Sequence, residues 1–131
     1  MEGHVMGSWS LTPVSNGSGG RQTRVFDPEV LRSVCGDNPE IINRLLGRFA
    51  QFLERDVREL DSAIVRRSIV DVRHQAHRIL GSALSVGAQE LAAAIEQVGI
   101  AARNKDWDAV TAEFQELQDA VSRLRTMLPQ S

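Results

Sequence analysis

The stretch NPEIINRLLGRFAQFLERDVRELDSAI, residues 38–64, decides the fold class. It opens on Asn38 and Pro39, a capping side chain followed by a ring whose fixed φ suits the first helical position. Behind that start Ile41, Ile42, Leu45, Leu46, Phe49, Phe52, Leu53, Val57, Leu60 and Ile64 recur at three-to-four spacing. That is the apolar stripe of an amphipathic helix of roughly seven turns, in which Gly47 is tolerated.

The same signals repeat on either side. Asp27-Pro28 starts a short helix that stops by Gly36. Ser68-Ile69-Val70-Asp71 is a capping-box-like S-x-x-D that opens a third helix running to about Val86, where Gly87 breaks it. A fourth helix carries Leu91, Ala94, Ile95, Val98 and Ala102. Asn104-Lys105-Asp106 makes the next turn, with Asp106 as the cap. The fifth helix places Trp107, Val110, Phe114, Leu117, Val121, Leu124 and Leu128 on one stripe, and Pro129 ends it. No segment shows strand periodicity, and nothing repeats at a solenoid period. Short turns between long amphipathic helices favour antiparallel neighbours. The expected fold is all-α: an antiparallel up-down four-helix bundle with a short N-terminal helix packed over it, spanning residues 25–129. Residues 1–24, with their SLTPVSNGSGG run, read as a flexible tail or interdomain linker.

Composition narrows the function. The chain has 131 residues and a formal charge of −2, which argues against a nucleic-acid partner. Lys105 is the only lysine, so arginine carries nearly all the positive charge. Cys35 is the only cysteine, which excludes an intrachain disulfide and fits a reducing compartment. No apolar run approaches the ~18 residues of a membrane span. A soluble domain without membrane insertion is expected.

The third helix contains AHRILGSA, residues 76–83. Glycine within a helix costs about 1 kcal/mol relative to alanine, so Gly81 asks for a reason. At about 100° per residue, Val72, Ala76, Ile79 and Ala83 cluster on one arc and face the core. His77 falls at the edge of the exposed side, with Arg73 one turn back and Leu80, Gly81 and Leu84 ahead; His74 lies a little further round. An imidazole is a nucleophile near neutral pH, and here it stands beside bare backbone at Gly81 with Leu80 and Leu84 on one border. No catalytic base, Gly-rich phosphate loop or paired carboxylate accompanies it. The chain therefore lacks kinase, nucleotide-binding or hydrolase machinery of its own. His74 and His77 make half a metal site without a third ligand at suitable spacing, so no metal is expected.

AHRILGSALSVGAQEL resembles the phosphoacceptor segment of histidine-phosphotransfer (HPt) domains, which commonly reads A-H-x-L-K-G-S/A followed by Gly-Ala and a Leu. Ala76, His77, Gly81, Ser82, Gly87, Ala88 and Leu91 match in register. Phe26-Asp27-Pro28, Asn38-Pro39-Glu40 and the NKDWDAV turn extend the resemblance over most of residues 25–128. It implies a phosphocarrier of two-component phosphorelays, either freestanding or a module of a hybrid sensor kinase. His77 would accept a phosphoryl group on a ring nitrogen, Nε2 in the family, from the aspartate of one response-regulator receiver domain. It would then pass the group to the aspartate of another. The chain would hold no cofactor, with Mg²⁺ on the partner receiver. The docking surface would comprise His74, Leu80, Gly81 and Leu84. A cytoplasmic monomer is expected, which an inner-membrane-anchored parent with a linked kinase would also accommodate.

The chain departs from the family pattern at two positions. Leu80 stands where a lysine commonly neutralises phosphate, leaving Arg73 and Arg78 as candidates, of which Arg73 is better placed by helix geometry. Gly99 stands where a Glu or Gln often orients the imidazole, and Gln97 is not an obvious equivalent. Two other readings stay open. One is an HPt-like module that binds a receiver or kinase without transferring phosphate. The other is a kinase dimerisation domain, disfavoured because Arg78 stands where such domains have an acidic residue and no proline follows.

Overall fold

The computed structural model describes residues 13–14 and 23–128. Two short strands, β1 (Pro13–Val14) and β2 (Thr23–Arg24), pair antiparallel with Pro13 opposite Arg24. Two residues are too few to show a strand period, so the sequence does not mark them. The other residues of the expected linker lie outside the described residues.

Five helices follow: α1 (Pro28–Cys35), α2 (Pro39–Val65), α3 (Ile69–Val86), α4 (Gln89–Arg103) and α5 (Trp107–Arg125). Four of the five begin on a capping side chain, and α4, which follows Ala88, has none. Asp27 accepts from the Glu29 N–H at 3.0 Å and Asn38 from Glu40 N–H at 2.9 Å. Ser68 accepts from Asp71 N–H at 3.2 Å, and Asp106 from Ala109 N–H at 3.1 Å. These bonds satisfy donors that a first helical turn leaves unpaired. Only half of the capping box at Ser68 forms. The Ser68 N–H donates to Ala63 O, and the Asp71 carboxylate turns instead to Arg66 at 2.8 Å. Helix α5 stops at Arg125, before Pro129, while Leu128 is still buried beyond it.

Helices α2, α3, α4 and α5 pack in sequence as an antiparallel bundle. The turns α2–α3 and α4–α5 share one design. Arg67 and Lys105 take positive φ, and the caps that follow, Ser68 and Asp106, return their N–H groups to Ala63 and Ala101. Both turns lie at one end, where the Arg67 guanidinium stands 5.5 Å from the Trp107 ring centroid. At the other end Gly87 closes α3 with φ +73°. A Cβ there would come within 2.9 Å of Asp27 O and of Val30 Cβ. The glycine thus permits both the left-handed turn and the close approach of α1's start, which Asp27 N–H fastens to Gly87 O at 2.7 Å.

The core runs from Phe26 and Leu31 through Leu46, Leu60, Ile79, Leu91, Ile95 and Leu117 to Leu124. Two members of the expected α2 stripe lie outside it. Ile41, in the first turn, and Phe52, at the α3-facing edge, are both exposed. Glu90 and Arg123 clamp α4 to α5 at 3.0 Å, and Arg125 reaches Glu54 of α2 at 3.4 Å.

Candidate functional site

Helix α3 has its cap at Ser68 and its stop at Gly87, which sets His77 at mid-helix. Val72, Ala76, Ile79 and Ala83 are buried, as the expected arc requires, and His77 is exposed. The imidazole opens onto a groove of about 360 Å³ between α3 and α4. Arg73, Ala76, His77 and Leu80 line it from α3; Ile95, Glu96, Gly99, Ile100 and Arg103 line it from α4. Its floor is apolar, through Ala76 and Ile95, and its walls carry two guanidiniums and one carboxylate. Among the described residues, no ion pair engages Arg73, Arg103 or Glu96. The groove is therefore net positive and its cations are uncommitted. A Cβ at Gly99 would meet Ala76 Cβ at an ordinary 3.9 Å, so alanine would fit there. The absent side chain leaves the groove open rather than allowing close helix packing.

The outer surface beside His77 is bare. No atom lies within 4 Å of a Cβ built at Gly81, so the fold itself does not require glycine there. Leu84 is 59% exposed about two turns beyond His77, and His74 is exposed. Leu80 is half-buried against the core and lines the groove. Ile100 adds an exposed apolar side chain from α4.

Arg78, although adjacent to His77 in sequence, does not line this groove. Its guanidinium crosses the α2–α3 seam, where Nη2 stands 3.5 Å from Asp56 Oδ1. Of the two cations suggested by sequence, Arg73 shares the imidazole's groove and Arg78 occupies the opposite flank. The first turn of α3 carries Asp71. Its carboxyl is held below the usual range chiefly by the Arg66 hydrogen bond and then by Ser68.

Sequence reasoning missed Glu96 and Arg103. With Gly99 and Ile100 they occupy successive turns of one α4 face, the three-and-four spacing already used to find the core. That stripe mixes charged Glu96 and Arg103 with Gly99 and Ile100 and borders the buried one, and only its three-and-four spacing could have marked it. Among the described residues, no three His, Cys, Asp or Glu side chains cluster as a metal site, and no helix is long and apolar enough to cross a membrane.

Comparison with the curated proteins returns no match. Solved structures share the fold. Histidine-containing phosphotransfer protein B (HptB) of Pseudomonas aeruginosa PAO1 superposes with a TM-score of 0.72 at 23% identity, covering 79% of this chain and 90% of that one. The maize histidine-containing phosphotransfer protein ZmHP2 gives 0.68 at 20% identity, covering 79% of each chain. The Hpt domain family model matches residues 44–127, which contain α3, α4, α5 and most of α2. The chain therefore belongs to the Hpt domain family, and its role is histidine phosphotransfer in a phosphorelay.

Proposed function

We propose that His77 is the phosphoacceptor, taking a phosphoryl group from the aspartyl phosphate of one receiver domain and giving it to the aspartate of another. The observation that carries this reading is the exposed imidazole at the edge of a net-positive groove, beside the uncovered backbone of Gly81. The Nε2 lone pair attacks phosphorus. The bond from phosphorus to the aspartyl oxygen breaks, and the aspartate leaves as a carboxylate. Nδ1 keeps its proton, and the second transfer runs the same step in reverse.

Such a transfer needs alignment and charge neutralisation more than covalent help from the protein. Arg73 and Arg103 supply positive charge from the two walls of the groove, in place of the lysine that Leu80 replaces. Glu96, the groove's one carboxylate, is the acceptor available to orient Nδ1–H, one turn before the position that Gly99 leaves empty. Arg78 takes no part in neutralisation on this reading. Gly81 leaves room for the receiver, which brings Mg²⁺ and its own acidic pocket, and His74, Leu80 and Leu84 border the contact.

Incubation with a phosphorylated receiver is expected to label the chain with acid-labile, base-stable phosphate, and His77→Gln is expected to abolish the label. Label that survives the substitution would overturn the assignment. Receiver binding without transfer over hours would instead support a purely docking role, the reading that the loss of the usual lysine favours.

A further inference from the structure

Asp56 takes no part in the chemistry above, yet it is the buried charged side chain of the described residues, at 4% exposure. Burying a carboxylate is strongly unfavourable unless cations meet it. Two do, and both address the same oxygen. Arg78 Nη2 stands 3.5 Å and Arg55 Nε 3.8 Å from Asp56 Oδ1. Strong charge-assisted bonds run about 2.7–2.9 Å, so neither guanidinium is fully engaged. Arg55 also lies over the Phe52 ring, with Cζ 5.4 Å from its centroid, and that ring is 49% exposed. These four side chains and Ser82 line an open cleft of about 310 Å³ on the α2 side of α3.

Two cations around one anion leave the cleft net positive, with free N–H donors directed by a buried anchor and an apolar ring at the lip. Planar guanidiniums recognise carboxylates through paired N–H donors. We propose that this cleft takes an acidic side chain of the docking receiver domain, and that it sets which receivers this chain accepts. Asp56 is the positioning residue that holds Arg55 and Arg78 for that contact. The inference rests on the reading that a receiver docks over His77. At about 100° per residue Arg78 and Ser82 each stand one step round α3 from His77 and Gly81, so a receiver that covers Gly81 borders the cleft.

The test measures transfer to the full chain as a function of receiver concentration. Arg55→Gln leaves the Arg78–Asp56 pair in place to hold α2 to α3. It is expected to raise the half-saturating receiver concentration about tenfold, as loss of one charge-assisted hydrogen bond does. The rate at saturating receiver is expected to change less than about twofold, since the cleft is remote from the charge formed in transfer. Ser82→Glu, which puts a carboxylate of the chain's own beside the cleft, is expected to give the same rise. Unchanged half-saturation in both variants would overturn the proposal, as would a loss confined to the saturating rate. If the wild-type chain takes no label, the reading of His77 fails instead. Calorimetric binding of the receiver to the same variants then applies the same tenfold criterion to the cleft, and absence of any binding would overturn both.

Discussion

The two flanks of α3 carry similar residues and use them differently. Toward α2, Arg78 and Arg55 converge on a buried carboxylate, Asp56. Toward α4, Arg73 and Arg103 line a groove with Glu96, and among the described residues no ion pair engages either of them. Asp56 fixes Arg55 and Arg78 in place on the flank away from the imidazole, where they suit docking a partner's anion. Arg73 and Arg103, held by no carboxylate among the described residues, line the groove that the imidazole faces. Adjacency in sequence is thus a poor guide to role, since successive helical residues diverge by about 100°. Arg78 touches His77 along the chain and serves the other flank.

The comparison breaks most visibly at Gly81, which lies on the outer surface between the two flanks. Gly81→Gln is expected to cut transfer from a phosphorylated receiver by at least about 100-fold, the order of loss that displacement of reacting groups produces. The fold should tolerate it, since a Cβ there meets no atom within 4 Å. Gly81→Ala is expected to raise stability by about 1 kcal/mol, read from denaturant midpoints. A Gly81→Gln chain that transfers at the wild-type rate would remove the clearance argument.

A smaller effect sharpens the contrast between the cations. Arg73→Ala and Arg103→Ala are each expected to lower the rate at saturating receiver by about tenfold or more, the size of a lost hydrogen bond to a charged group. Arg78→Ala is expected to leave that rate nearly unchanged and to weaken receiver affinity. Rapid-quench kinetics on the three variants separates the two flanks, and equal losses of saturating rate would merge them.

The smallest effect concerns neither flank. Arg66 and Ser68 lower the Asp71 pKa in the folded chain from its ordinary value of 3.8. A group depressed on folding contributes stability above its unfolded pKa and loses that contribution as pH falls through the folded one. Asp71→Asn should therefore lower Tm slightly at pH 7; the difference should begin to shrink as pH falls past 3.8, vanish only once pH is below the lowered folded value, and shrink in high salt because the pair is exposed. A difference that persists in acid would assign the effect to helix capping rather than to charge.

Helix order, the caps at Asp27, Asn38, Ser68 and Asp106 and the stop at Gly87 were legible in sequence, because each depends on neighbours within a few residues. The exposure of His77 and the bareness beside Gly81 followed from helical angle alone. Contacts between helices were not legible. Asp56 reads as one more polar residue of α2 until Arg78, 22 positions away, is brought against it. Glu96 and Arg103 sit on a polar stripe that only the approach of α4 to α3 turns into a wall of the site. Phe52 fits the apolar period yet lies exposed, because the stripe of α2 is wider than the surface its neighbours cover.

The most direct measurement is to locate the phosphate itself. After transfer from a phosphorylated receiver, the wild-type chain is digested at alkaline pH and its phosphopeptides are fragmented by mass spectrometry to separate His74 from His77. One phosphoryl group on His77 is the expected result. Phosphate on His74, or on a residue outside α3, would contradict the assignment of the site.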